Sequence, residues 1–167
     1  NTAMCQQTVI VVDDQFPQFT CPTALTNNAD LGQCSATFAL PALVATDNCG
    51  VASVTSNAPS SFSVGLTPVT WTVVDIHGNT NTCIQIVAIL DPQLPQVTAG
   101  SIAACYETSG LAEAAAIAAT SATDNCGVAS TNILSTVGTC SATITVRVTD
   151  IHGNFAEVVY NTRIDAV

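Results

Sequence analysis

The chain has 167 residues, enough for one large domain or two small ones, and 48% hydrophobic content against 8% charged excludes intrinsic disorder. Its two basic residues, Arg147 and Arg163, face twelve carboxylates for a formal charge of −10. Such a chain repels phosphate backbones, which excludes nucleic acid as a partner and makes hard divalent cations the natural counter-charge.

Asn1 to Asp14 reads as a strand with Thr8, Val9, Ile10, Val11 and Val12 as its apolar centre. Phe16 to Pro22 follows as an edge-type opening, with prolines where ladder donors are not needed. Cys34 to Leu40 reads as a strand, Asp47-Asn48-Cys49-Gly50 as a turn, and Val51 to Ser56 as a short strand. Val69 to Val74 is the strongest strand signal; His77-Gly78-Asn79 turns the chain, and Thr80 to Leu90 returns. Further on, Gln96 to Thr98, Ala142 to Val148 and Phe155 to Ile164 read as strands. Leu111 to Ala119 is alanine-rich, which alone favours a helix. Its repeat partner is the strand around Phe38, so a strand is expected there too.

That partner exists because the chain repeats itself. Ala45-Thr46-Asp47-Asn48-Cys49-Gly50-Val51-Ala52-Ser53 returns letter for letter from Ala122 to Ser130, and Asp75-Ile76-His77-Gly78-Asn79 returns from Asp150 to Asn154. This spacing of roughly 75 residues predicts two tandem copies of one small domain. The N-terminal segment joins the pattern: Asn1 to Asp13 aligns with Asn79 to Asp91, so it resembles a closing strand without its domain. The predicted organisation is all-β: an N-terminal donor-type strand over 1–14, then two Ig-like antiparallel sandwiches over 15–91 and 92–167.

Phe19-Thr20-Cys21-Pro22, Asp47-Asn48-Cys49-Gly50, the run from Ser63 to Trp71, Asp75-Ile76-His77-Gly78-Asn79 and Cys83 together resemble the hyalin repeat (HYR) module. The resemblance is closest to the tandem arrays of secreted bacterial surface proteins. It covers the first domain well; the second lacks the Cys-Pro start. It implies an Ig-like extracellular adhesion and spacer module with no chemistry of its own.

Eight cysteines in domains this small point to an oxidising, extracellular compartment. Aligning the copies puts Cys21 opposite Ala99 and Cys83 opposite Val158. Their joint loss argues that Cys21 pairs with Cys83, which leaves Cys34 for Cys49. Cys126 then has Cys105 and Cys140 as candidate partners. For Cys5 three readings stand: it pairs within the chain, the chain is an excerpt of a longer array, or it pairs with Cys105 or Cys140 of the next molecule. In the last case the N-terminal strand adds to a neighbour's sheet, and a disulfide locks it. Such head-to-tail contacts generate open filaments.

Carboxylates gather where one domain passes to the next and in the repeated turns: Asp13, Asp14, Asp47, Asp75, Asp91, Asp124 and Asp150. They are candidate calcium ligands, against the alternative that they only make Asx turns. His77 and His152 sit in equivalent turns with no partner specified by spacing, and Trp71 reads as core. No nucleophile elbow or triad is legible, so the expectation is not an enzyme. No required cofactor is expected. The chain contains no apolar run of membrane length and no visible leader. The expectation is a secreted structural protein whose partners are copies of itself, with adhesion to a glycan or another surface protein as the alternative.

Overall fold

Strict alternation is the clearest structural signal in the chain, and the structure obeys it. From Val69 onward every second residue, Val69, Trp71, Val73 and Asp75, turns inward and is buried. In the second copy Ala142, Ile144, Val146, Val148 and Asp150 do the same. Both strands therefore carry a carboxylate on their inward face at the last position, and this period-2 phase places the site described below.

The computed structural model describes residues 1–165; the last two residues expected in the second domain lie outside the described residues. Its elements in order are β1 (Gln18–Phe19), β2 (Leu25–Asn28), β3 (Ser35–Ala36), β4 (Ala45–Thr46), β5 (Val51–Ser56), β6 (Phe62–Ser63), β7 (Gly65–Asp75) and β8 (Thr80–Leu90). These are followed by β9 (Gln96–Ala99), β10 (Cys105–Tyr106), α1 (Ser109–Ala119), β11 (Thr120–Thr123), β12 (Val128–Val137), β13 (Ala142–Asp150) and β14 (Phe155–Ile164). The chain is mostly β, in several sheets. It divides into two units, one of residues 1–26, 37–62 and 66–88, the other of 27–36, 63–65 and 89 onward. The border thus differs from a simple cut near residue 91: two segments of the first repeat group with the second unit.

The first unit is built on a sheet of order β2-β8-β7-β5, with β1 paired to β4. Phe38 and Phe62 stack with ring centroids 5.0 Å apart. Trp71 is core: its indole N–H donates to Gln85 Oε1 at 3.0 Å, and Gln85 Nε2 donates to the Thr23 carbonyl at 2.9 Å. A buried indole needs such a partner.

In the second unit the sheet order is β10-β14-β13-β12, with β9 paired to β11. β10 runs parallel to β14 and pairs with Arg163 and Ile164 alone. The segment Leu111 to Ala119 is helical, which corrects the strand expected from its repeat partner. Thr108 caps the helix by accepting from the Leu111 N–H at 3.3 Å. Ala112 and Ala116, one turn apart, are buried against Ala142, Ile144, Val146, Tyr160 and Ile164. Small side chains let the helix lie close to the sheet, and helix propensity wins over the repeat.

Residues 1–17 form no strand. Ladder hydrogen bonds need a partner, and the segment has none within the described residues. Its apolar centre is open to solvent, with Val9 74%, Ile10 81%, Val11 91% and Val12 76% exposed.

Candidate functional site: twin carboxylate clusters

Each unit contains the same cluster. In the first, Asp47 opens the Asp-Asn-Cys-Gly turn, and its Oδ1 accepts the N–H groups of Cys49 at 2.9 Å and Gly50 at 3.0 Å. Gly50 stands at φ +126°, a backbone conformation that favours glycine. Asp75 ends β7; its Oδ1 accepts the N–H groups of His77 and Asn79, and its Oδ2 accepts Asn79 Nδ2 at 2.7 Å. Asp13 enters from the N-terminal side. Its Oδ1 accepts Asn48 Nδ2 and its Oδ2 meets His77 Nδ1, each at 3.2 Å, and its carbonyl accepts Asn79 Nδ2.

The second unit reproduces this atom for atom. Asp124 accepts from Cys126 and Gly127, Asp150 from His152 and Asn154, and Asp91 from Asn125, with Asp91 Oδ2 meeting His152 Nδ1 at 3.2 Å. In each cluster the three carboxylates offer oxygens within 4.8 Å of one another. Asp47 Oδ2 and Asp124 Oδ2 are buried and have no hydrogen-bond partner. Among the described residues, Asp14 joins neither cluster.

Burial alone would raise the carboxyls of Asp75 and Asp150, yet both lie below the usual range. The side-chain amide of Asn79 or Asn154 and the N–H groups of the turn stabilise the anion. Asp13 is lowered in the same way, against its burial, by Gln15, Asn48, Cys49 and His77. The Cys49 thiol is pushed up by burial and by its carboxylate neighbours, Asp13 first.

Cysteine pairing differs in part from expectation. Cys21 bonds Cys83, while Cys34 bonds Cys126, not Cys49. Cys126 therefore pairs with neither Cys105 nor Cys140. The reason is local to the second unit, where residues 27–36 sit against the Asp124 turn: Asn125 Nδ2 donates to the Gln33 carbonyl at 2.9 Å. Cys5, Cys49, Cys105 and Cys140 are free and exposed. Sequence reasoning missed the aspartate partners of His77 and His152, and the bridging roles of Asn48, Asn79, Asn125 and Asn154. The duplication of all of them in register was the available signal.

These features define a disulfide-bonded, mostly β chain of extracellular type, repeating one carboxylate-lined turn. Residues 12–89 match the HYR domain family model, a span that holds one complete cluster from Asp13 to Asp75. The match agrees with an adhesion-type module; it does not speak to a bacterial origin. No curated protein matches the chain. Among solved structures it is similar to the human desmocollin-1 ectodomain at 13% identity and a TM-score of 0.35, over 94% of this chain and 38% of that one. Among the described residues no helix is long and apolar enough to cross a membrane.

Proposed function

We propose that the chain is a non-enzymatic, secreted structural subunit, joined head to tail into a fibre or surface array by its N-terminal segment and by disulfides. One observation carries the reading. Among the described residues, the segment around Val9–Val12 is exposed and has no strand partner, whereas its repeat copy, Thr80–Leu90, is an inner strand bonded through Cys83. An exposed apolar segment is a liability unless another chain pairs with it. The reading is supported by β14, whose Arg163 and Ile164 alone pair with β10 among the described residues, so that the rest of that side of the strand could take an added strand. Addition there extends a complete sheet by β-augmentation. Cys5 then bonds a free thiol of the receiving copy, Cys105 or Cys140. The two thiols lose two protons and two electrons to a low-molecular-weight disulfide, which leaves as two thiols.

The test mixes light and heavy isotope-labelled protein, assembles it and maps disulfides after pepsin cleavage. Cys5 peptides are expected on Cys105 or Cys140 peptides of the other label, and deletion of residues 1–12 is expected to abolish fibres. Assembly of the truncated chain at the parent's yield would overturn strand addition. Cys5 bonds confined to one label would move adhesion through the loops, to a glycan or protein, to the front.

We also propose that each carboxylate triad holds a calcium ion: Asp13, Asp47 and Asp75 in one, Asp91, Asp124 and Asp150 in the other. The residues fit. Oxygens bound 2.3–2.6 Å from a common ion lie within about 5 Å of each other, as these do. The unpartnered Oδ2 atoms of Asp47 and Asp124 would gain a ligand that no protein group supplies. The ion's two positive charges would offset two of the three converging negative ones and tie Asp13 or Asp91 to its turns. Calcium at about a hundredfold over its dissociation constant stabilises by about 2.7 kcal/mol. Calorimetry is expected to show a higher melting temperature with calcium than with chelator, and no difference in Asp47→Asn/Asp124→Asn. An unchanged melting temperature, with no calcium retained on elemental analysis, would discard the ion.

A further inference from the structure

The two clusters differ in one respect. In the second unit Asn125 donates to the Gln33 carbonyl and Cys126 is bonded to Cys34, both from the borrowed segment 27–36. In the first unit, among the described residues, no segment bonds the turn in this way; Asn48 and Cys49 are exposed, and Cys49 is free. The same nine residues thus stand once capped and bonded, once open. We propose that a second copy of this chain supplies the missing cap, and that Cys49 bonds Cys140 of that copy. This rests on the head-to-tail reading and deepens it by naming a second bond, which leaves Cys105 for Cys5.

Cys140 is assigned by its place in the repeat. Cys34 sits beside the segment 63–65, its carbonyl accepting the Val64 N–H at 3.2 Å. Counting back from the matched inward carboxylates Asp75 and Asp150, Val64 corresponds to Thr139 and Gly65 to Cys140. Thr139 is held at the end of β14, its carbonyl accepting the Ile164 N–H at 2.8 Å. The second repeat therefore carries, exposed and unbonded, a thiol in the segment that in the first repeat lies beside Cys34.

The bond forms by oxidation of two thiols. Two protons and two electrons pass to a low-molecular-weight disulfide, released as two thiols.

The experiment uses the full chain, mixed from light and heavy pools, oxidised with a glutathione-type disulfide and mapped by mass spectrometry without reduction. A Cys49 peptide joined to a Cys140 peptide of the other label is expected. On non-reducing denaturing gels the Cys5→Ser chain is expected to keep a ladder of covalent multimers. Cys5→Ser/Cys49→Ser is expected to run as monomer, with its fold checked by melting temperature. Cys49 recovered as a free thiol from fibres, linked within one label, or holding zinc with Asp13 and His77 would overturn the proposal. If Cys49 is cross-linked while Cys5 stays free, this inference stands and the strand lock fails. If Cys5 alone is cross-linked, the strand lock stands and this inference fails.

Discussion

Replacing Cys21 and Cys83 together by alanine is expected to destabilise the first unit by about 4 kcal/mol. The bond closes a loop of 62 residues. In the chain-entropy treatment a loop of that length restricts the unfolded chain by roughly that amount. The loss is large beside the 5–15 kcal/mol typical of whole domains. For a domain below about 100 residues it lowers the melting temperature on the order of 15–30 °C. The double replacement is needed because one cysteine alone would leave an orphan thiol. The first unit has little core to compensate: Phe62, Val69, Trp71, Val73 and Val87 are its large buried apolar side chains. Urea titration of monomer checks the figure. A loss below about 1 kcal/mol would mean that packing, and not the staple, holds the unit.

That bond was legible in the sequence because Cys21 and Cys83 disappear together in the second copy. The Cys34 bond was not, and the reason is physical. Alignment of repeats shows which positions are equivalent within a domain, and it assumes each domain closes on itself. Residues 27–36 instead group with the second unit, so a partner of Cys126 was sought in the wrong half of the chain. The helix Ser109–Ala119 shows the opposite failure. There, composition pointed to the helix, and equivalence to a strand argued it away. Alternation in β7 and β13 was read correctly from Val, Trp and Ile. The same alternation already set Asp75 and Asp150 on the inward face, where a turn residue would not be expected. The clusters themselves lay within reach of the sequence, since Asp13 and Asp91 stand at the same place in the repeat; convergence with the two turns needed the fold. His77 and His152 lacked a visible partner because theirs lie 64 and 61 residues away.

Stability in chelator is expected to hold level from neutral pH to about pH 5, then fall steeply below about pH 4. The folded carboxyls of Asp75 and Asp150 lie below the ordinary value, which is about 4 in an unfolded chain. Between those values the unfolded chain binds protons that the folded chain refuses. The stabilisation is thus fully present above the unfolded value and is lost as pH falls through the folded one. Asp13 contributes in the same direction. The cause lies in the turns, because a protonated carboxyl can no longer accept from His77 N, Asn79 N and Asn79 Nδ2 at full strength. Asp75→Asn/Asp150→Asn should be less stable at neutral pH, since its amide N–H₂ would face the donor of Asn79 or Asn154. Its acid limb should also be shallower, because two of the groups that take up protons are gone. Urea midpoints measured in steps from pH 7 to pH 2 separate the two effects. If the double variant loses stability with the parent's slope, the acid limb arises elsewhere, and these turns do not govern it.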